Sequence, residues 1–153
     1  MKEYMFIQAD LKIYSYLYVA SLIPWSIEIY LMPTILLIED HPLIRENICE
    51  IFEMEKFKVL LATNGKEGIE IAKSKKPDLI LCDVNMPVLN GYQVLDSLRK
   101  DTATSHTPFF FLSAYADSFE IETWIALGAN GYFIKPFEPD ELLQKVSDFI
   151  NKQ

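Results

Sequence analysis

Short apolar runs alternate along this chain with stretches in which apolar residues return every three or four positions. The runs are Ile35, Leu36, Leu37 and Ile38; residues 57–62; Leu79, Ile80, Leu81 and Cys82; Phe109, Phe110, Phe111 and Leu112; and Gly131, Tyr132, Phe133 and Ile134. Four apolar residues in a row, with helical patterns on both sides, read as a strand covered on both faces. Between the runs, Ile44, Ile48 and Ile51, then Ile69 and Ala72, Leu95 and Leu98, Ile121 and Ile125, and last Leu142, Val146, Phe149 and Ile150 recur at helical spacing. The punctuation agrees. Pro42 suits the first turn of a helix capped by Asp40 or His41, Asn64-Gly65 and Asn90-Gly91 precede helices, Gly128 reads as the residue that closes the fourth, and Pro139 opens the fifth.

Five strand–helix units in strict alternation predict an α/β fold. The expected form is a doubly wound five-stranded parallel sheet with right-handed crossovers and helices on both faces, in the flavodoxin-like order 2-1-3-4-5. In that order the carboxyl ends of strands one, three, four and five converge on one rim, where open α/β sheets bind their ligands.

Residues 1–32 do not share the pattern. Residues 13–27 are uncharged, aromatic and apolar, but only 15 residues separate Lys12 from Glu28, whereas a spanning helix needs about 20. Pro24 would also kink it. Met1-Lys2-Glu3 carries no net positive charge, as a signal peptide would. Three readings stand: a start read upstream of the true initiator at Met32, a loosely packed or interfacial extension, and a membrane contact through residues 11–32. Met32-Pro33-Thr34 directly before the first strand favours the first. The expected division is therefore an extension over residues 1–32 and one domain over residues 33–153.

The net charge of −8 and the lack of a basic stretch argue against a direct nucleic-acid partner. Cys49 and Cys82 lie far apart with no CxxC, which reads as two free thiols in a reducing, cytoplasmic compartment.

The rim collects Glu39, Asp40, Asp83, Ser113 and Lys135. Three carboxylates brought together repel and call for a counter-charge. Magnesium fits, held by Glu39, Asp40 and Asp83 with a backbone carbonyl at Asn85 as a further ligand. A lysine and a hydroxyl on the same rim suit a phosphoryl group, for which lysine is a point charge. Asp83 is then the candidate nucleophile, forming an aspartyl phosphate. Plainer roles compete for each residue: Asp40 as a helix cap, Ser113 as a strand-end hydroxyl, Tyr132 as core packing. Trp124 reads as packing or as part of an exposed partner-binding face. His41 and His106 read as surface residues, and Phe109 to Phe111 as core strand.

Glu39-Asp40, Asp83 within Leu81-Cys82-Asp83-Val84-Asn85-Met86-Pro87, Gly91 eight residues beyond it, Ser113-Ala114 and Lys135-Pro136-Phe137 together resemble the receiver domain of two-component response regulators. The resemblance covers about residues 33–152. It implies a switch in which Asp83 accepts phosphate from the phosphohistidine of a sensor histidine kinase or a histidine phosphotransfer protein. The acidic pair Glu39 and Asp40 then holds magnesium and Lys135 contacts the phosphate. Ser113 and Tyr132 are the implied switch residues, the domain catalyses its own magnesium-dependent phosphorylation and dephosphorylation, and the Lys135-Pro136 bond is expected to be cis. Glutamate as the first acid and serine as the switch hydroxyl depart mildly from the commoner aspartate and threonine. Because the sequence stops at the fifth helix, output is expected through a downstream protein bound to the helix 4–strand 5–helix 5 face. Two rival functions remain at this level. A magnesium-dependent phosphohydrolase of similar fold usually has an acid two residues after its nucleophile, where this chain has Asn85. A phosphate-independent interaction module is the other.

Overall fold

The computed structural model of the chain describes residues 32–152. The readings of the first 31 residues, including membrane contact through residues 11–32, lie outside the described residues. Each apolar run becomes a strand and each helical pattern a helix. The order is β1 (Thr34–Ile38), α1 (Pro42–Met54), β2 (Lys58–Ala62), α2 (Gly65–Lys75), β3 (Leu79–Asp83), α3 (Gly91–Lys100), β4 (Phe109–Ser113), α4 (Ser118–Ala126), β5 (Gly131–Ile134) and α5 (Pro139–Ile150). The strands form one sheet in the order β2-β1-β3-β4-β5, all pairs parallel. This is the expected doubly wound arrangement.

Side chains alternate across a strand, so the sheet divides its apolar residues between two cores. Leu36, Ile38, Ile80, Cys82, Phe109 and Phe111 face one way, under Ala72 of α2, Val94, Leu95 and Leu98 of α3, and Trp124 of α4. Ile35, Leu37, Leu79, Leu81, Phe110, Leu112 and Phe133 face the other, under Ile48 and Phe52 of α1 and Leu142 and Val146 of α5. β3 and β4 are buried along their whole length, which is why their sequences are continuous apolar runs rather than alternating ones.

The helix phases differ from the expectation in two places. In α1 the buried pair is Ile48 and Phe52, with Ile51 half-buried at the margin. In α4 Trp124 is buried and Ile125 is 66% exposed, although the spacing pointed Ile125 inward. In both helices an aromatic next to the expected aliphatic wins the interior, because its larger apolar area gains more from burial. Trp124 is therefore packing, not part of an exposed face. No side chain caps α1: its first turn opens at His41 without a side-chain hydrogen bond, with Pro42 as the first helical residue. Of the two expected caps, His41 holds the N-cap position and Asp40 does not, but neither side chain bonds the first turn. Pro42 supplies a preset φ and has no N–H to satisfy.

One glycine fixes the geometry of the rim. Gly91 starts α3 after an Asn90–Gln93 capping box, and its N–H donates to the Val84 carbonyl at 3.0 Å. A Cβ at this position would lie 2.6 Å from the Asp83 carbonyl oxygen and 3.1 Å from Val84 Cα. The opposing atoms are backbone and cannot swing away. Gly91→Ala is expected to destabilise the domain by about 2 kcal/mol, read as a lower urea midpoint with an unchanged slope. A midpoint equal to that of the parent protein would show that the approach is looser than described.

Candidate functional site

The rim is assembled by sheet register. Glu39 directly follows β1, and its N–H continues the ladder to the Ala62 carbonyl at 3.1 Å. Asp83 is the last residue of β3. Lys135 follows β5, and its N–H reaches the Ser113 carbonyl of β4 at 2.7 Å. Backbone bonds of the sheet therefore carry three ionisable side chains to one point. Glu39 and Asp83 are buried there, 1% and 7% exposed.

The Lys135 ammonium joins the two acids. Its Nζ donates to Glu39 Oε2 at 2.6 Å and to Asp83 Oδ1 at 2.7 Å. The second oxygen of each carboxylate takes a backbone donor: Glu39 Oε1 accepts from the His41 N–H at 3.1 Å, and Asp83 Oδ2 from the Asn85 N–H at 3.0 Å. Burial pushes the Glu39 pKa up, and Lys135 only partly opposes this. For Lys135, burial alone would pull the pKa down. The hydrogen bonds to Asp83 and Glu39 outweigh it, and the net direction is up.

Asp40 completes the acidic group. One carboxylate oxygen from each of Glu39, Asp40 and Asp83 lies within 4.8 Å of the others. Three carboxylates against one ammonium leave two negative charges uncompensated. An all-oxygen donor set with that residual charge fits a hard divalent cation and not a soft one.

Two expected members stand apart from this cluster. Ser113 is buried, but its hydroxyl donates to the Tyr115 carbonyl and accepts the Tyr115 N–H at 3.3 Å. By strand alternation it shares the face of Phe109 and Phe111, opposite the face of Leu79 and Leu81 that Asp83 continues. Tyr132 is half-buried. Its ring centroid lies 5.3 Å from that of Trp124, and its carbonyl accepts from Lys145 Nζ at 2.9 Å. Asn85 is exposed and meets Asp83 through its N–H. The Lys135-Pro136 bond is cis.

The sequence reading passed over Arg45. From the first turn of α1 its Nη1 donates to the carbonyls of Glu39 at 2.8 Å and Asp40 at 3.3 Å, which fixes the loop carrying both acids. A cation near a helix N-terminus opposes the helix dipole, and that mismatch was the available signal. His41 and His106 are exposed, as read. Cys82 is a free, buried thiol, pushed well above its ordinary range by burial.

A doubly wound sheet whose central strand ends in a carboxylate, beside an acidic pair and a lysine, defines a class of phosphoryl-accepting signalling domains. The family described as the response regulator receiver domain matches residues 35–147, and the chain belongs to that family of two-component systems. Among relatives, the nitrate/nitrite response regulator NarL of Escherichia coli K12 is 40% identical over 113 residues, 72% of this chain and 51% of NarL. The chain thus spans about half the length of the curated relatives it matches. Among solved structures, the chemotaxis regulator CheY4 of Vibrio cholerae is 28% identical with a TM-score of 0.73, covering 76% of this chain and 98% of that one. The receiver domain of the sensor histidine kinase PA1611 from Pseudomonas aeruginosa is 29% identical with a TM-score of 0.73, covering 78% and 98%. That domain was crystallised with a magnesium ion coordinated in its active-site cleft. Among the described residues of this chain no helix is long and apolar enough to cross a membrane.

Removing the bridging ammonium has a definite expected result. Lys135→Met leaves buried Glu39 and Asp83 facing each other without a cation, a loss of about 3 kcal/mol at neutral pH, and adding Glu39→Gln recovers part of it. Because the folded state holds the Lys135 proton more tightly than the unfolded chain, the parent's advantage is complete below the ordinary lysine pKa. It disappears as pH rises through the raised folded value. Chemical denaturation of the three proteins across pH measures this; equal stabilities at neutral pH would contradict it.

Proposed function

We propose that this domain is a phosphorylation switch in which Asp83 accepts a phosphoryl group from the phosphohistidine of a sensor histidine kinase or a histidine phosphotransfer protein. The observation that carries the reading is the Lys135 ammonium placed between Asp83 and Glu39 inside a cluster that keeps excess negative charge. An oxygen of the Asp83 carboxylate attacks phosphorus, the phosphorus–nitrogen bond of the donor breaks, and the imidazole leaves with the bonding pair. Phosphoryl transfer of this kind depends on positioning and charge neutralisation more than on covalent help from the protein.

Glu39, Asp40 and Asp83, with the backbone carbonyl of Asn85, would hold a magnesium ion, which supplies positive charge for the carboxylates and the incoming phosphoryl oxygens. Lys135 stays as the point charge on one phosphoryl oxygen. Ser113 exchanges the Tyr115 carbonyl for a phosphoryl oxygen, and Tyr132 moves into the space this opens. The same groups admit water for the domain's own dephosphorylation. Phosphate thereby shifts a two-state population, by the contacts it makes in one state and not in the other. A downstream protein reads the change on the face built from α4, β5 and α5. The free thiols of Cys49 and Cys82 fit a reducing cytoplasm.

The test is intact mass after incubation with acetyl phosphate and magnesium. One phosphate adduct is expected on the parent protein, none on Asp83→Asn, and none on the parent when EDTA replaces magnesium. Labelling of Asp83→Asn at the parent rate would remove Asp83 as acceptor. Absence of an adduct on both proteins would make a phosphate-independent interaction module the better reading.

A further inference from the structure

α4 sends one fully buried side chain into the core. Of its nine residues only Trp124 is buried, whereas each of the other four helices buries at least two. Ile121 packs partly buried against the same core, while Phe119 and Ile125 point outward, 75% and 66% exposed.

The setting of that one indole is specific. Its Nε1–H donates to the Tyr92 hydroxyl of α3 at 2.8 Å. Its ring centroid lies 5.3 Å from Phe111 on β4 and 5.3 Å from Tyr132 on β5. Tyr92 closes the circuit, 5.5 Å from Phe111. All of these rings belong to the core face that Ser113 shares, and Tyr132 pairs with Phe111 across the β4–β5 ladder. An open pocket of about 280 Å³ is lined by Trp124, Tyr132 and Lys145 together with Ile125, Ala129 and Asn130.

We infer that the Trp124–Tyr92 hydrogen bond is a latch that holds α4 in its unphosphorylated position, and that Trp124 is the positioning residue through which a change at Tyr132 reaches α4. The inference rests on the phosphorylation reading above and names the regulation of that same site. The Ser113 hydroxyl is bound to Tyr115 and the Lys135 ammonium to both acids, contacts that a phosphoryl group on Asp83 would have to displace. Tyr132 cannot leave its place without a response from the indole packed on it. α4 cannot shift against α3 without stretching the bond from Trp124 to Tyr92. A buried indole N–H that loses its partner is costly, and this cost opposes the active population. The bond is nonetheless single and neutral, weak enough for the charge-assisted contacts of a phosphoryl group to outweigh it.

The test uses the full chain carrying Trp25→Phe, which leaves Trp124 as the only indole of the two. Uptake of phosphate from acetyl phosphate with magnesium is followed by mass and Trp124 emission in parallel. The emission is expected to change in step with the adduct. Tyr92→Phe, which removes one oxygen, is expected to start near the phosphorylated emission and to take up phosphate about fivefold faster, the factor set by losing one hydrogen bond from the resting state. Trp124→Phe breaks the same bond from the other side and serves if Tyr92→Phe does not fold. The two together should give no more acceleration than one. A purely structural role would lower stability and leave the uptake rate alone. An adduct on Asp83 that leaves the Trp124 emission of the parent unchanged, together with a parent-like uptake rate in both variants, would overturn the latch while the phosphorylation reading stands. Absence of the adduct on the parent protein, seen by mass alone, would remove that reading and the latch with it.

Discussion

A partly buried ammonium between two buried carboxylates is the interaction on which the rim depends. Burial, helped by the neighbouring Asp83 carboxylate, favours the neutral form of Glu39, and the Lys135 ammonium held against both acids opposes this. Such an arrangement is poor value as a source of stability, because desolvating three charges offsets most of their attraction. Its effect is to keep an acidic group preassembled and still short of positive charge. The second carboxylate oxygens are spent on backbone donors at His41 and Asn85, so the acids are oriented before any ion or phosphoryl group arrives.

The sheet holds this geometry. Glu39, Asp83 and Lys135 are each the last or the next residue of a parallel strand, and ladder bonds fix their relative heights. A one-residue slip in any of these strands would turn its whole apolar set to the wrong face. The two cores therefore enforce the register that the site needs. Packing and chemistry are coupled in this way even though no core residue touches the carboxylates for a chemical purpose.

The central strands β1, β3 and β4 were legible in the sequence, because a strand covered on both faces must be apolar throughout; the partly exposed edge strand β2 begins at Lys58, one residue after the expected start at Phe57. The acids and the lysine were legible for the same reason: a charge at the end of such a run has only the rim to occupy. Helix rotation was less so. Ile51 and Phe52 are neighbours, as are Trp124 and Ile125, and periodicity alone does not say which of two adjacent apolar residues goes inward. The size of the ring decided both. Ser113 was found by its position, but its bond to Tyr115 was not foreseeable, since a hydroxyl at a strand end can turn to its own backbone as easily as to a neighbour. Arg45 left only the weak trace of a cation in the first turn of a helix, because its partners are backbone carbonyls that no pattern of side chains reveals.

Gly91 has a mechanical side. The first turn of α3 rests on the backbone of Asp83 with no side chain between them, and the Gly91 N–H is tied to Val84. The next residue along is Tyr92, whose hydroxyl receives the Trp124 indole. α3 is thus seated directly on the strand that ends in Asp83, and under the proposed latch it is the fixed element against which α4 would be displaced. The hydroxyl that receives the Trp124 indole therefore stands one residue from the point where α3 touches the Asp83 backbone, so its position is set by the strand and not by the loop between them.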